Sequence, residues 1–272
     1  MKQVLVIAGD TLVSFFRQRM LLALIIGSFA ITIGFGYLVA WQEKSFENMH
    51  DVSAADLQTP NKDNMDARER KEQIEQGLEQ MRSGQQAMFF GASGLGGNII
   101  SLLLFASLIA APLRRGELRG ILVRPLQRSQ YLCGRFMGAV AALGIYWITM
   151  SLIFLVFRLH QQSSLPPTIG FAALLYLSKG MMLGSIAFAL SLFTRPIIAV
   201  LVAAAASSDW VSSSSTLYYL LPGDDRLSVA MQLIQGQLLA PRDIALAVAY
   251  AFNVTLVALG IAMLRFRRID IG

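Results

Sequence analysis

The chain is partitioned by its own hydrophobicity. Apolar residues gather in blocks of about twenty, and charged residues gather between the blocks. Each block is long enough to cross a hydrocarbon core of roughly 30 Å as a helix. Only 15% of the 272 residues are charged, against roughly a quarter in an ordinary soluble domain. The expected fold is an all-α membrane protein, a single transmembrane domain over residues 1–272. Six transmembrane helices are expected at 21–41, 89–111, 136–157, 168–193, 196–212 and 244–264. The fifth is the weakest, because its apolar core at 197–206 is short and turns serine-rich.

Basic residues set the orientation, since short loops rich in Lys and Arg stay in the cytoplasm. With the N-terminus inside, the inner segments hold thirteen cations against three anions, Asp10, Glu117 and Asp270. The outer loop at 42–86 holds ten acids and six bases. Both termini are then cytoplasmic, and the net charge of +6 needs no nucleic acid to explain it. The first span lacks a short basic head and a small-residue cleavage site, so it does not read as a signal peptide.

Outside the spans, residues 2–18 have helical periodicity. Val4, Ile7, Ala8, Thr11, Leu12 and Phe15 share one face, which predicts an N-terminal amphipathic helix on the inner membrane surface. Loop 42–86 is too long for a plain connector. Within it Ala67, Ile74, Leu78, Met81 and Met88 form a stripe that packs on its own protein or receives an extracytoplasmic partner. A second outer segment, 213–242, reads as short helical structure between spans five and six.

Several chemistries are missing from the sequence. There is no GxxxxGK[ST] loop, so nucleotide hydrolysis by that route is not expected of this chain. Gly91, Gly94 and Gly97 follow no strand and are read as helix-packing positions. The serines at 207, 208 and 212–215 have no evident base, and His50, His160 and Cys133 form no metal-binding cluster. Neither a catalytic residue nor a metal site is expected.

The stretch 112–135 carries the functional signal. Leu118, Ile121 and Leu122 give a short amphipathic helix, and Pro125 pushes Arg124 out of helical geometry. A second helix then feeds the third span. The result is a cationic elbow at the membrane surface, able to transmit force from a soluble partner or to bind anionic lipid. In this stretch Gly116, Pro125, Arg128 and Gly134-Arg135 resemble the corresponding loop of the ABC-2 type permeases, the membrane subunits of one class of ATP-binding-cassette transporters. The overall plan of surface helix, six spans and long first outer loop is similar too.

The resemblance implies a complex of two permeases, as a homodimer or with a second permease, and a separate ATPase carrying ATP and Mg. The elbow residues Gly116, Glu117, Leu118, Arg119, Leu122, Arg124, Pro125 and Arg128 would then form the ATPase-coupling element. The family normally carries acidic residues just before this glycine, where this chain has Arg114 and Arg115. The implied location is the inner membrane, and the implied function is export or transmission of mechanical work.

Two ionisable residues lie deep within apolar blocks. Lys179 is sixteen residues before Arg195 and Asp209 fourteen after it, about 24 and 21 Å from that turn at a helical rise of 1.5 Å. Antiparallel neighbours would bring the two to similar depth, as a pair or as separate groups reaching water. They also permit another reading, an ion-coupled secondary transporter, although inverted repeats are not obvious. A third reading is a membrane scaffold whose outer loop recruits partners.

Overall fold

The computed structural model describes residues 2–17, 88–109, 128–160, 169–206 and 240–268, with single positions between 26 and 37 and at 77, 84, 112 and 233. The described residues are helical, with no strand among them. In chain order the helices are α1 (Lys2–Arg17), α2 (Met88–Ile109), α3 (Arg128–His160), α4 (Ile169–Ser191), α5 (Pro196–Ala206) and α6 (Pro241–Arg267). Within these, Met88–Ile109, Arg128–Val156, Ile169–Ser191 and Pro241–Arg267 are long and apolar enough to cross a membrane, and α5 is a shorter apolar helix. The expected first span lies mostly outside the described residues. So do the outer loop 42–86 and most of segment 213–242, from which Leu233 is buried in the core. Pro241 and Arg242, expected in that outer segment, already belong to α6.

Helix α4 is the centre of the bundle. It has small or apolar residues around most of its circumference, and both α3 and α6 pack along it. On one side Gly180 and Gly184 leave room for α2 and α3. A Cβ on Gly180 would lie 2.9 Å from the Leu143 side chain, and one on Gly184 would overlap the Phe105 ring. The Ser101 hydroxyl of α2 donates to the Gly180 carbonyl, a polar clasp across the closest approach. Elsewhere the contacts are made by alanines. Ala199 and Ala203 of α5 are buried, and so are Ala247, Ala251, Thr255, Ala258, Ala262 and Phe266 along one stripe of α6. Small residues at such spacing let helices approach where the solvent is itself apolar and close packing must hold the bundle together.

At the end of the bundle from which α4 starts, aromatic rings lock α2, α3 and α4. Phe90 lies 4.9 Å from Phe154, and Trp147 stacks on Tyr176 at 5.0 Å. The Tyr146 hydroxyl donates to the Ser93 carbonyl at 2.9 Å. Two glycines singled out in the sequence make this possible. A Cβ on Gly94 would meet the Tyr176 ring at 2.7 Å, and one on Gly97 the Trp147 ring at 2.8 Å. Gly91 lies one turn earlier on α2, half-buried.

Helix α1 lies along the start of α3. Thr11 and Phe15 are buried, Val4, Ile7, Ala8 and Leu12 are half-buried, and Leu5, Val6, Gly9, Asp10 and Val13 are exposed. The buried face is the one its periodicity defines.

Candidate functional site

The chain path brings five helix ends to one face, called here the near end. Arg128, the first residue of α3, donates from Nη1 to the carbonyl of Arg267, the last residue of α6, at 3.3 Å. The Arg265 guanidinium of α6 lies 5.2 Å over the ring of Phe193, in the tight turn between α4 and α5. Helix α2 runs parallel to α4, because Gly94 meets Tyr176 and Ser101 meets Gly180. It therefore finishes at the near end as well. Ile109 and Arg128, the described residues that flank segment 110–127, thus both lie at this face.

Both of its anchors are fixed to the central helix. Phe105 near the end of α2 packs on Phe136 of α3 at 5.1 Å, and Phe136 packs on Phe188 of α4 at 5.9 Å. A load applied to the segment would be passed to α2, α3 and α4 together. The expected coupling residues Gly116, Glu117, Leu118, Arg119, Leu122, Arg124 and Pro125 lie outside the described residues. Arg128 is half-buried at the start of α3, and the expected loop end 128–135 forms the first two turns of that helix.

Gly134 and its partner Gly138 were not expected as packing positions. A Cβ on Gly134 would meet Ile7 at 2.7 Å and the Val4 carbonyl at 3.0 Å. One on Gly138 would lie 2.7 Å from both the Ala8 carbonyl and Thr11 Cβ. The pair forms a GxxxG step that seats α1 beside the segment's return into the bundle. A second step of that spacing, Gly180 and Gly184, also went unremarked in the sequence. The signal was present in both cases.

Charge is distributed unevenly between the two ends. Arg128, Arg135, Arg195, Arg265, Arg267 and Arg268 lie at the near end, whereas the opposite end has Arg158 in the last turn of α3 and Arg242 and Asp243 at the start of α6. Among the described residues the carboxylates are Asp10 of α1 and Asp243. Arg265 and Arg267 also occupy the last turn of α6, where the negative end of the helix dipole favours cations.

Two features lie within the span region. Lys179 is half-buried midway along α4, and its expected partner Asp209 lies outside the described residues. An open groove of about 600 Å³ runs between α3 and α4, lined by Gly144, Trp147, Ser151, Gly170, Ala173 and Leu177 among others. Among the described residues, nothing approaches within 4 Å of a Cβ built on Gly144 or Gly170. The groove is lined mostly by hydrocarbon.

Compared with known families, residues 6–207 match the sequence profile described as "ABC-2 family transporter protein". Comparison with curated proteins gives no match. The matched range takes in most of α1, segment 110–127 and the helices through α5.

Proposed function

The chain belongs to the ABC-2 transporter family, and from that premise we propose that it is the permease subunit of a transporter driven by a separate ATP-binding-cassette ATPase. Proteins of this family generally work with such a partner. The observation that carries the reading is the mounting of segment 110–127. Its flanking helices α2 and α3 are packed on α4 at the near end, so the segment serves as a handle on the whole bundle. The ATPase, holding ATP and Mg, would close on this face and switch the transmembrane helices as a rigid body. The arginines gathered there support a cytoplasmic placement of the near end, and with it a multi-pass protein of the inner membrane. Two permeases would complete the complex, export is the expected direction, and loop 42–86 is the expected place for an extracytoplasmic partner.

Affinity purification of the tagged chain is expected to bring down a protein with Walker motifs. Glu117→Ala and Arg128→Ala are expected to remove at least half of the transport-coupled ATP hydrolysis in the reconstituted complex. Melting temperatures should fall by no more than about 4 °C, because Arg128 is half-buried with its 3.3 Å bond exposed, and a substitution at such a site costs about 1 kcal/mol. Normal coupling in both variants would remove the handle from the mechanism.

Lys179 supports a further element, the intramembrane pair with Asp209. Asp209→Asn should leave an intramembrane ammonium without its counter-charge, a loss on the order of 3 kcal/mol. The exchange Lys179→Asp with Asp209→Lys should recover most of it in a thermal melt. If the exchange costs as much as both single changes together, the two residues do not pair. Lys179 is also what favours the ion-coupled alternative, which predicts transport that persists when ATP is withdrawn.

A further inference from the structure

We infer that the near-end corner formed by the α4–α5 turn and the end of α6 binds the phosphate of an anionic phospholipid headgroup, with Arg265 and Arg195 as its cationic ligands and Phe193 as the platform that positions Arg265. The inference rests on the chain being embedded in a bilayer and not on any ATPase partner.

Three observations meet at this corner. The first is charge. Arg195 sits in the turn, Arg265, Arg267 and Arg268 end α6, and all four are exposed. No described carboxylate accompanies them, and the stretch 244–272 contains one acid, Asp270. Among the described residues, cations alone are gathered at this corner.

The second is depth. Within one turn of these arginines, the large apolar side chains Phe193, Ile197 and Leu264 are exposed by 54%, 72% and 65%. Exposed apolar groups of this size on membrane-spanning helices belong in hydrocarbon. The guanidinium groups beside them are thereby set at the boundary where headgroup phosphates lie, and not out in the water where a soluble protein would dock. Long cationic side chains reach that boundary naturally, with their stems along apolar surface.

The third is preorganisation. Arg265 lies 5.2 Å over the Phe193 ring, an attraction worth more at a partly desolvated site than in water. The stacked guanidinium keeps its edge donors for an oxyanion, and arginine suits phosphate through a planar, forked donor set.

The test uses the purified full-length chain in nanodiscs of phosphatidylcholine alone or of phosphatidylcholine with phosphatidylglycerol. Co-purifying lipid is counted by native mass spectrometry. The parent is expected to retain phosphatidylglycerol preferentially. Arg195→Gln with Arg265→Gln should reduce that preference roughly twenty-five-fold, since each interfacial cation contributes about fivefold. Phe193→Leu keeps every charge and an apolar side chain, so it tests the platform where the double variant fails to fold; a two- to fivefold reduction is expected. Arg242→Gln, at the opposite end of α6, should leave the preference unchanged.

Equal retention of the two lipids by the parent would overturn the inference, and so would an unaltered preference in both the double variant and Phe193→Leu. Inorganic phosphate displacing the retained lipid at equal concentration would show a free-anion site instead. If the double variant keeps its lipid but loses a co-purifying protein, the corner is a protein-docking surface.

Discussion

Gly184→Leu is expected to disrupt the bundle, whereas Gly144→Leu, the same chemical change on a neighbouring helix, should be tolerated. At Gly184 an added Cβ already overlaps the Phe105 ring and presses on the Ser101 hydroxyl, which is donated to the Gly180 carbonyl. Phe105 is fully buried and packs on Phe136, itself buried. The ring has nowhere to swing, and relief requires α2 to move away from α4. Overpacking of this kind costs typically 1–3 kcal/mol and sometimes more, and the broken clasp adds the cost of an unmade buried hydrogen bond, about 1 kcal/mol.

At Gly144 no described residue lies within 4 Å of the new Cβ, and leucine has a helix propensity better than glycine by up to about 0.8 kcal/mol. In detergent the expected melting shift is a fall of about 5–10 °C for Gly184→Leu and less than about 2 °C for Gly144→Leu. Similar shifts for the two would mean that α2 is not held by this contact. A fall confined to Gly144→Leu would show that the groove between α3 and α4 is occupied by a partner helix.

The contrast also marks what could be read in the sequence. Hydrophobic blocks located α2, α3, α4 and α6 because a bilayer requires length and apolarity of any spanning helix, whatever it packs against. They did not locate helix ends. Helix α3 begins at Arg128, eight residues before the apolar block expected at 136, because helical geometry continues into the charged interface after hydropathy has fallen. A period of 3.6 defined the apolar face of α1, but not that this face packs on α3, where Thr11 and Phe15 are buried.

Packing partners were less accessible. Gly94 and Gly97 were recognised as close-approach positions, but nothing local says that Tyr176 and Trp147, from two other helices, fill the spaces they leave. Gly134 carried the family resemblance as the end of the coupling loop, which hid its packing role against Ile7 and Val4. The face of Lys179 was likewise beyond reach. A helix apolar all round has no polar side to orient it, and α4 is buried around most of its circumference.

Gly138→Leu should release α1 from α3, with a consequence for coupling that Gly184→Leu cannot test. The added Cβ would meet the Ala8 carbonyl at 2.7 Å and Thr11 Cβ at 2.7 Å, and a backbone carbonyl inside a helix cannot rotate away as a side chain can. The whole of α1 must then shift. Its grip on α3 consists of one face, centred on Thr11 and Phe15, while its other side is exposed, so undocking leaves the packing of α2, α3 and α4 in place.

A cysteine at Thr11, 1% exposed in the parent, reports the docked state once Cys133, the only native cysteine, is replaced by serine. Labelling of that thiol by a membrane-impermeant maleimide is expected to be slow in the parent and at least tenfold faster with Gly138→Leu, reflecting a contact weakened by more than about 1.4 kcal/mol. If α1 braces the turns of α3 that receive segment 110–127, transport-coupled hydrolysis should fall in step with labelling while the bundle still melts cooperatively. Fast labelling with full coupling would leave α1 as a packed appendage, and the handle would act through α2 and α3 alone.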